Sequence, residues 1–289
     1  MILTFKASIM DQLSKVALVK GPRAHETVYR AIDLIGGLKD VVKNAPQVLI
    51  KVNFITTKTY ETGATTDPLV VEALIRKTKE FSDKIFVVES DASMTDADKA
   101  CRATGMLQMC EDNDVKFINL RKEKERVDLE IPDPEVLHRI TVPKIVADSA
   151  IINAAKLKTH SQTGVTLGMK NMFGLLPEKF KAKYHFRNIS KVVVDINSVL
   201  KPSLTVVDGF YALEGPGPVS GYPVKMDLII AGRDVVAVDA TACRVMGIDP
   251  SEIYHVRRAH EKGFGEMRQD RIELVGNRLE EVARKFRRS

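Results

Sequence analysis

The sequence contains no tryptophan, and aromatic residues make up only 6% of its 289 residues. Proteins that bind single-stranded nucleic acid stack the bases on aromatic side chains, and few are available here. The net charge is +6, from 44 lysines and arginines against 38 aspartates and glutamates, but both signs are mixed along the chain and no nucleic-acid motif occurs. Nucleic acid is therefore not an expected partner, and the basic stretch RKFRRS at 284–289 is predicted to be a solvated helix end.

Cysteines and long apolar runs are also scarce. Cys101, Cys110 and Cys243 form no CxxC pair, so an iron–sulfur cluster or zinc knuckle is not expected from this chain alone, and all three are predicted to be buried thiols. No apolar run approaches the roughly 20 residues of a membrane-spanning helix, and the start MILTFKASIMDQLSK is too polar for a secretory signal. We expect a cytoplasmic protein with no membrane partner.

What the sequence does have is a regular alternation of short β-branched runs with helical patterns. Buried strands are predicted at 47–53, 84–90 and 116–120. A helix between the first two should begin at Thr66-Asp67-Pro68, with Thr66 or Asp67 as its cap. This alternation predicts an α/β fold with a mostly parallel sheet flanked by helices.

Later segments complete the predicted organisation. Residues 96–112 are predicted to be helical, and 149–155 to form a further buried strand. The charged, proline-broken stretch 121–145 predicts a small antiparallel excursion from the parallel sheet. We expect a single α/β unit over 1–289, within which 121–188 could form an inserted subdomain.

The first candidate site lies in KVNFITT and the TTDP motif that follows it. Lys51 and Asn53 are two residues apart on one strand, so they share a face, and they lie at its carboxyl end, where ligands bind in open α/β sheets. A lysine in an apolar run needs a partner, which could instead be a salt bridge to Glu89 or Asp91. Thr66 at the helix start could bind an anion, or it could simply cap the helix.

The second and richer candidate is the segment from Asn153 to Pro177. Lys156, Lys158 and His160 alternate after the apolar strand and should point to one side if the chain stays extended. Further polar residues lie among small ones. The candidates for ligand binding in this part are Asn153, Lys156, Thr166 and Asn171, and the catalytic candidates are Lys158, His160 and Lys170. Lysines provide point positive charges and small residues let the backbone approach a ligand. A solvated loop is the alternative, but we expect a site for a small anion.

Metal-binding candidates come from three further places. Asp91 follows the strand in VVESDAS, Asp208 ends the strand in LTVVDGF, and His185 occurs in FKAKYHFRN. Carboxylates and imidazole are the donors that a divalent metal would need. Glu214 enters a glycine- and proline-rich loop that is predicted either to form a wall of the ligand site or to be a plain connector.

The order of these motifs resembles a known family. From about Lys15 to Gly265, the segments KVN, TTDP, INAAKLKTH, GMKNMFGLLP, DGFYALEGPGP and DVVAVDA resemble the prokaryotic family described as domain of unknown function 362. Members of that family often carry an appended iron–sulfur module, which implies a redox or cofactor partner protein. The chain is also similar, more distantly, to the catalytic subunit of nickel-pincer lactate racemase. That similarity implies that Lys170 contacts or tethers a cofactor and that His185 contacts a metal.

Two functions are consistent with these features. The first is an enzyme that binds a small carboxylate or phosphate compound, in which Lys51, Lys158 and Lys170 hold the anion and His160 acts as general acid or base. A divalent metal could assist, and the reaction class stays open among isomerase, lyase and redox-associated enzymes. The alternative is a non-catalytic carrier or maturation protein for a metal or cofactor.

Overall fold

The structure, a computed structural model, describes residues 13–288. In that range the strands are β1 (Ser14–Lys20), β2 (Val48–Lys51), β3 (Ile85–Glu89), β4 (Lys116–Asn119), β5 (Arg126–Glu130), β6 (Arg139–Pro143), β7 (Ala150–His160), β8 (Gly164–Thr166), β9 (Leu204–Glu214), β10 (Tyr222–Gly232) and β11 (Ile272–Gly276). The helices are α1 (His25–Leu34), α2 (Lys39–Val42), α3 (Pro68–Lys79), α4 (Ala97–Ala103), α5 (Met106–Asp112), α6 (Lys144–Ala147), α7 (Gly168–Asn171), α8 (Ala182–His185), α9 (Ile189–Val199), α10 (Val235–Val245), α11 (Tyr254–Glu261) and α12 (Leu279–Val282). Short 3-10 turns lie at Tyr60–Thr62, Leu120–Lys122, Met172–Leu175, Pro250–Glu252 and Gln269–Arg271.

The main sheet has the strand order β11-β1-β10-β9-β7-β2-β3-β4, and β8 pairs with β7. The strand pairs from β9 through β7, β2 and β3 to β4 are all parallel. Strand β10 is antiparallel to both of its neighbours, while β1 and β11 are parallel. Strands β5 and β6 form a separate antiparallel hairpin, within the stretch 121–145. The predicted α/β class, with a mostly parallel sheet and a small antiparallel excursion, is confirmed.

The sheet is covered on both faces, which explains why its strands are apolar on both sides. In β1, Ala17 and Val19 pack in one cluster with α1 and α3, whereas Val16 and Leu18 pack in another with α10 and α11. Successive residues of a strand point to opposite faces, so a strand between two helix layers needs apolar residues throughout. A third cluster packs the β5–β6 hairpin and α9 over β2 and β3.

A change in strand order creates a crevice at the carboxyl ends of β2 and β7. From β2 the chain builds outward through β3 to β4, and then returns to place β7 on the other side of β2. Connections that leave neighbouring strands in opposite directions open a gap above the strand ends, and ligands bind there in open α/β sheets. Lys51, the last residue of β2, is the register partner of Asn153 on β7.

Helix α3 begins as the TTDP motif predicts, and the structure chooses between the two candidate caps. Asp67 is the cap: its carboxylate accepts a hydrogen bond of 2.9 Å from the Leu69 backbone N–H, and Pro68 is the first helical residue. The Arg23 guanidinium also donates to Asp67 through two bonds of 2.6 and 2.8 Å. Thr66 therefore has another role, which is described with the site.

Two predicted boundaries differ from the structure for identifiable reasons. The helical prediction over 96–112 divides into α4 and α5 because Gly105 takes a φ of 78°, a left-handed conformation that ends one helix and precedes the next. The strand predicted at 149–155 continues to His160 as β7. Its extension is buried because β9 lies along one side and β8 turns back along the other. The polar run KLKTH is thus part of a strand.

The prediction of a solvated helix end at 284–289 is wrong for the described part of that stretch. Helix α12 ends at Val282, and the chain then continues without helix to residue 288. The backbone N–H groups of Arg284 and Phe286 donate to the carbonyls of Val245 and Met246, and the Phe286 ring is buried. Hydrogen bonds to α10 and burial of an aromatic ring outweigh the local helical pattern of RLEEVARKF.

Other sequence-based expectations concern cysteines and membranes. Cys101, Cys110 and Cys243 are free and buried, as predicted. Burial raises the pKa of the Cys110 thiol to about 12 and raises those of Cys101 and Cys243 as well. Among residues 13–288, no helix is both long enough and apolar enough to cross a membrane.

A completely buried ion pair fastens the centre of the sheet. The Lys156 ammonium on β7 donates to the Asp208 carboxylate on β9 at 2.7 Å, and neither side chain is exposed. Asp208 also accepts hydrogen bonds from the backbone N–H groups of Asp67 and Phe210, at 2.9 and 3.1 Å. The pair therefore links two strands and the start of α3.

We expect Asp208→Asn to lower the free energy of unfolding by about 3–5 kcal/mol, because removing one member of a buried pair leaves the Lys156 charge uncompensated. Chemical denaturation measures the change. The double variant Lys156→Met, Asp208→Asn should recover much of the loss, because it removes both charges. A decrease in the free energy of unfolding below about 1 kcal/mol for Asp208→Asn would contradict a structural role. If EDTA lowers the free energy of unfolding of the wild-type protein by the same amount as the substitution does, Asp208 would instead act as a metal ligand.

Candidate functional site

A cavity of about 350 Å³ lies where β2, β3 and β7 end, above the crevice in the sheet. Its wall is built from strand ends, the segment from β8 to the Met172–Leu175 turn, and residues around α8. The predicted site residues that line it are Lys51, Asn53, Lys158, His160, Thr166, Lys170, Asn171 and His185. Pro218 and Val219 of the glycine- and proline-rich loop also line it, as expected if that loop forms a wall of the site.

The remaining predicted residues lie outside the cavity wall, and they are Thr66, Asn153, Lys156, Asp91, Asp208 and Glu214. Lys156 and Asp208 are committed to each other. The Thr66 hydroxyl accepts a bond of 2.8 Å from the Asn53 backbone N–H and donates to the Ala154 carbonyl at 2.9 Å. Thr66 thus ties the end of β2 to β7, next to the cavity but not facing it.

Glu214 and Asp91 are each satisfied by protein groups. The Glu214 carboxylate accepts from the Arg287 backbone N–H at 3.1 Å and forms ion pairs with the Arg284 and Arg287 side chains, so it binds the C-terminal tail. Asp91 accepts a 2.6 Å bond from the Arg121 guanidinium and a 2.9 Å bond from Asn119, and these bonds help to hold the pKa of Asp91 below its ordinary value despite burial.

Lys51 sits at the floor of the cavity with its charge partly compensated. Its Nζ donates to the Glu89 carboxylate at 2.8 Å and to the Val52 carbonyl at 2.6 Å. Burial lowers the pKa of Lys51, and the Glu89 charge opposes this. Gly174 packs against this pair so closely that a Cβ at that position would clash with both Lys51 and Glu89. The pair thus explains the glycine that precedes Leu-Leu-Pro.

A directional chain of side-chain amides crosses the cavity floor. Lys158 Nζ donates to Asn53 Oδ1 at 2.7 Å, and Asn53 Nδ2 donates to Asn171 Oδ1 at 2.8 Å. Asn171 Nδ2 then donates to Asn153 Oδ1 at 2.7 Å, and Asn153 Nδ2 donates to the Gly168 carbonyl at 2.9 Å. We call these residues the amide chain. Because it begins at an ammonium and ends at a carbonyl, each amide is fixed in one orientation.

The turn that carries Lys170 and Asn171 is held from behind by Asp239 of α10. The Asp239 carboxylate accepts the backbone N–H groups of Gly168 and Met169 at 2.7 and 2.9 Å. Burial raises the pKa of Asp239 to about 7, and these two N–H donors work against that rise. Gly168 allows the close approach, because a Cβ there would clash with Asp239 and with Thr205. A residue far along the sequence therefore positions the cavity lysine.

Lys158 is fully buried, and its hydrogen-bond partners in the part of the chain that the structure describes are neutral oxygens. Besides Asn53, its Nζ donates to the Ala64 carbonyl at 2.8 Å, and the Pro218 carbonyl lies 3.5 Å away. Burial and the nearby charges of Lys156 and Lys170 lower its pKa well below the ordinary value. Three acceptors satisfy the hydrogens of an ammonium but supply no counter-charge.

Lys170 and Lys181 are the other two cavity lysines. Lys181 Nζ donates to the Ser90 hydroxyl at 2.6 Å, and Lys170 Nζ lies 4.5 Å from the centroid of the Phe173 ring. Burial lowers the pKa of Lys170 to about 7, with the Lys181 and Lys51 charges acting in the same direction. Burial also lowers the pKa of Lys181 to about 8. An anion in the cavity would favour the charged form of both.

His160 is held as a neutral hydrogen-bond donor. Its Nδ1 accepts the backbone N–H groups of Gln162 and Thr163 at 3.1 and 3.3 Å, so the ring proton lies on Nε2. Burial and the charges of Lys170 and Lys158 lower the pKa of His160 to about 3. A neutral imidazole that cannot readily accept a proton can still polarise a ligand oxygen through Nε2–H. The general acid or base role stays a prediction.

The predicted metal residues do not form one donor set in the described part of the chain. His185 lines the cavity and hydrogen-bonds to Gln162, whereas Asp91 and Asp208 lie outside the wall. Within residues 13–288, the three-residue donor cluster close enough to hold an ion is Asp91, Asp96 and Asp98. Asn119, Arg121 and Lys122 bind the acids at the two ends of this cluster. Metal binding stays a prediction.

The sequence does not indicate Lys181 as a cavity residue, and it includes Phe173 and Gly174 only as members of the segment from Asn153 to Pro177. Lys181 lies in EKFKAK, where lysines alternate with other residues in an irregular segment, and no periodicity shows which of them turns inward. The sequence indicates Glu89 only as a possible salt-bridge partner of Lys51, and Ser90 only as part of VVESDAS. Their importance follows from β3 lying beside β2, which places both at the Lys51 side of the cavity.

Comparisons with known proteins agree with the motif pattern. The family model described as a domain of unknown function (DUF362) matches residues 48–244, a span that contains every cavity residue named above. The chain belongs to this family. A thylakoid-associated protein of Synechocystis sp. is 29% identical over 229 residues, which are 77% of this chain and 70% of that protein. The more distant similarity to the lactate racemase subunit is not shown, so cofactor tethering at Lys170 stays a prediction.

We expect Asp239→Asn to weaken anion binding at the cavity by about tenfold or more, because an amide can accept only one of the two N–H groups that position the Lys170 turn. The matched control is Asp234→Asn, since Asp234 caps the same helix through Val236 and Ala237 and does not contact that turn. Both variants should lose stability, but only Asp239→Asn should lose affinity by isothermal titration with inorganic phosphate or L-lactate. Equal affinity losses would contradict the positioning role.

Proposed function

We propose that the protein is an enzyme that binds a small carboxylate or phosphate compound in the lysine-rich cavity. The observation that carries the proposal is the charge of the wall. Four lysines, Lys51, Lys158, Lys170 and Lys181, face one cavity, and among residues 13–288 Glu89 is the carboxylate in its wall. Buried charges are expensive unless they are paired, so this arrangement favours an occupant that brings negative charge.

The lysine pKa values support the same interpretation. Burial lowers the pKa of all four cavity lysines, so each ammonium is stabilised less by the protein than by water. At about 4 Å and an effective dielectric constant of about 20, an opposite charge contributes about 4 kcal/mol. An anion near Lys170 and Lys181 would therefore recover free energy that the fold alone does not supply.

Cavity size and lining limit the kind of anion. A volume of about 350 Å³ lies at the small end of the range of about 300–1,000 Å³ that is typical of ligand sites. Phe54, Phe173 and Pro218 give the wall apolar surface beside the charged groups. This combination suits a compact molecule with one or two anionic groups and a short carbon skeleton.

The residues would have distinct roles. Lys51 and Lys181, near Glu89 and Ser90, would hold the anionic group. Lys158, fixed by the amide chain, would define the opposite side, and His160 Nε2–H would donate to a second ligand oxygen. The orphaned Thr166 hydroxyl, buried with no partner among the described residues, offers a further polar contact from the wall.

The alternative function, a metal or cofactor carrier, is compatible with the same cavity only for a negatively charged cargo. The lysines oppose a free divalent cation, because like charges repel strongly in a buried site. A carrier would bind its anionic cofactor without converting it, whereas an enzyme would release a changed product. A cytoplasmic location and a redox or cofactor partner protein stay predictions of the sequence.

We expect inorganic phosphate, L-lactate or malonate to raise the melting temperature of the wild-type protein, since a ligand at 100 times its Kd stabilises by about 2.7 kcal/mol. Lys181→Met should weaken binding by about 10- to 100-fold through loss of a charged hydrogen bond. The matched control is Lys183→Met, two residues away and half exposed, where the lysine pairs with Glu178. No thermal shift with any of the three anions, or equal effects of the two variants, would count against the proposal.

We also expect anion affinity to fall as the pH rises through about 7 to 8, because Lys170 and Lys181 lose their charges there. An anion raises the pKa of the lysine that it contacts, so binding in this range takes up protons, and affinity should fall by up to about tenfold per pH unit for each proton taken up. Titration calorimetry in two buffers of different ionisation enthalpy measures the uptake. Affinity that stays constant from pH 6 to pH 9 would show that these lysines do not contact the anion.

A further inference from the structure

Lys170 differs from the other cavity lysines in its bonding. Lys51, Lys158 and Lys181 each donate to at least one oxygen of the protein. Within residues 13–288, Lys170 Nζ makes no hydrogen bond or ion pair, and its close neighbour is the face of the Phe173 ring at 4.5 Å. The Lys170 amine therefore faces the cavity without a hydrogen-bond partner among the described residues.

The surroundings of Lys170 leave the amine and the ammonium in similar amounts near neutral pH. Burial, reinforced by the charges of Lys181 and Lys51, lowers the pKa of Lys170 to about 7, against the opposing charge of Glu89. A large fraction of the side chain is thus unprotonated near neutral pH. A neutral lysine amine without a hydrogen bond has a nitrogen lone pair that is available to react, which is how lysines become nucleophiles in enzymes.

The position of Lys170 is fixed on both sides. Asp239 holds the backbone turn that precedes it, and Asn171, the next residue, is locked into the amide chain. A nucleophile gains most from such fixation, because a bound partner then meets it in a reactive geometry. The three other lysines surround the space in which an anion would place its carbon skeleton.

We propose that Lys170 is a nucleophile that forms an imine with the carbonyl group of the bound anion, so that the ligand class is a small anion carrying a ketone or aldehyde, such as an oxo acid. This inference rests on the proposed function, because the anionic group places the carbonyl beside Lys170. It goes further by naming a covalent step and the functional group that the ligand must contain.

The step balances without any redox partner. The Nζ lone pair forms a bond to the carbonyl carbon while the C=O π electrons move to oxygen. One proton passes from nitrogen to that oxygen, and a second comes from a neighbouring acid such as the Lys181 ammonium. The C–O bond then breaks, water leaves, and a protonated imine remains on Lys170. Lys181 recovers its proton from solvent. The positive imine is stabilised by Glu89 and the ligand anion, and it withdraws electrons from the adjacent carbon.

Reductive trapping tests the inference. The full chain is incubated separately with pyruvate, glyoxylate and glyceraldehyde 3-phosphate in the presence of sodium cyanoborohydride, and the modified lysines are identified by peptide mass spectrometry. Lys170 should be labelled at least about tenfold more than any exposed lysine, because the bound anion raises the effective concentration of its carbonyl. L-Lactate, an anion that lacks the carbonyl, should compete with pyruvate and leave no adduct.

Two variants and one competition experiment control for indirect effects. Lys170→Met should abolish the enriched adduct. The matched control is Lys201→Met, since Lys201 Nζ also lies over an aromatic ring, that of Phe264 at 5.8 Å, but outside the cavity, and this variant should be labelled at Lys170 like the wild type. If Lys170→Met fails to fold, protection of Lys170 by inorganic phosphate in the wild type replaces it, because phosphate occupies the cavity without reacting.

The outcomes separate the two proposals. Thermal shifts with anions but no enrichment at Lys170 with any carbonyl probe would overturn the imine inference and leave anion binding intact. Enrichment that L-lactate and phosphate do not reduce would show a reactive lysine that is independent of a bound anion, which also overturns the inference. Absence of both shifts and enrichment would overturn both proposals.

Discussion

The cost of burying ammonium groups governs the centre of this protein. Lys51, Lys156 and Lys158 are all fully buried, and each must find oxygen atoms inside the fold. Glu89 at the end of β3, Asp208 on β9 and Asn53 just after β2 supply them to Lys51, Lys156 and Lys158 respectively. The positions of those acceptors explain other choices in the chain: glycine at 174, where no side chain fits beside the Lys51–Glu89 pair, and a row of asparagines with one consistent orientation. The side chains near the carboxyl ends of the central strands are therefore arranged to satisfy buried ammonium groups.

The extent to which protein groups compensate the lysine charges decreases from the core of the sheet toward the cavity. Lys156 has a carboxylate of its own, and Lys51 has one that also contacts backbone N–H groups. Lys158 has neutral carbonyl and amide oxygens, Lys181 has a hydroxyl, and Lys170 has an aromatic ring. A fold that needed these lysines only for stability would pair them as completely as it pairs Lys156. This residual positive charge at the outer end is the basis of the proposed anion binding, and the lack of an oxygen partner for Lys170 among the described residues is the basis of the proposed imine.

The sequence predicts the fold class well because its signal is local. Apolar runs, the Asp67-Pro68 helix start and the alternation of strands and helices are all readable within a few residues. The location of the lysine-lined cavity could also be predicted, since lysines that interrupt apolar strands are unusual. Its exact membership could not, because it depends on which strands become neighbours and on contacts between distant segments. Asp239 lies about 70 residues from the turn that it holds. Glu214 is bound by Arg284 and Arg287, which lie about 70 residues further along the chain. Lys181 lies in a segment with no periodicity. The imidazole tautomer of His160 depends on two backbone N–H groups whose directions no sequence pattern specifies.

The Glu214 cluster has a mechanical consequence. Glu214 ends β9 and is bound to Arg284 and Arg287, and four residues later the same loop contributes Pro218 and Val219 to the cavity wall. Arg284 and Arg287 thus hold the loop that borders the cavity. A surface that competes for Arg284 and Arg287 would release Glu214 and so loosen the loop that carries Pro218 and Val219. The cavity wall can therefore be altered through Arg284 and Arg287, which lie outside it.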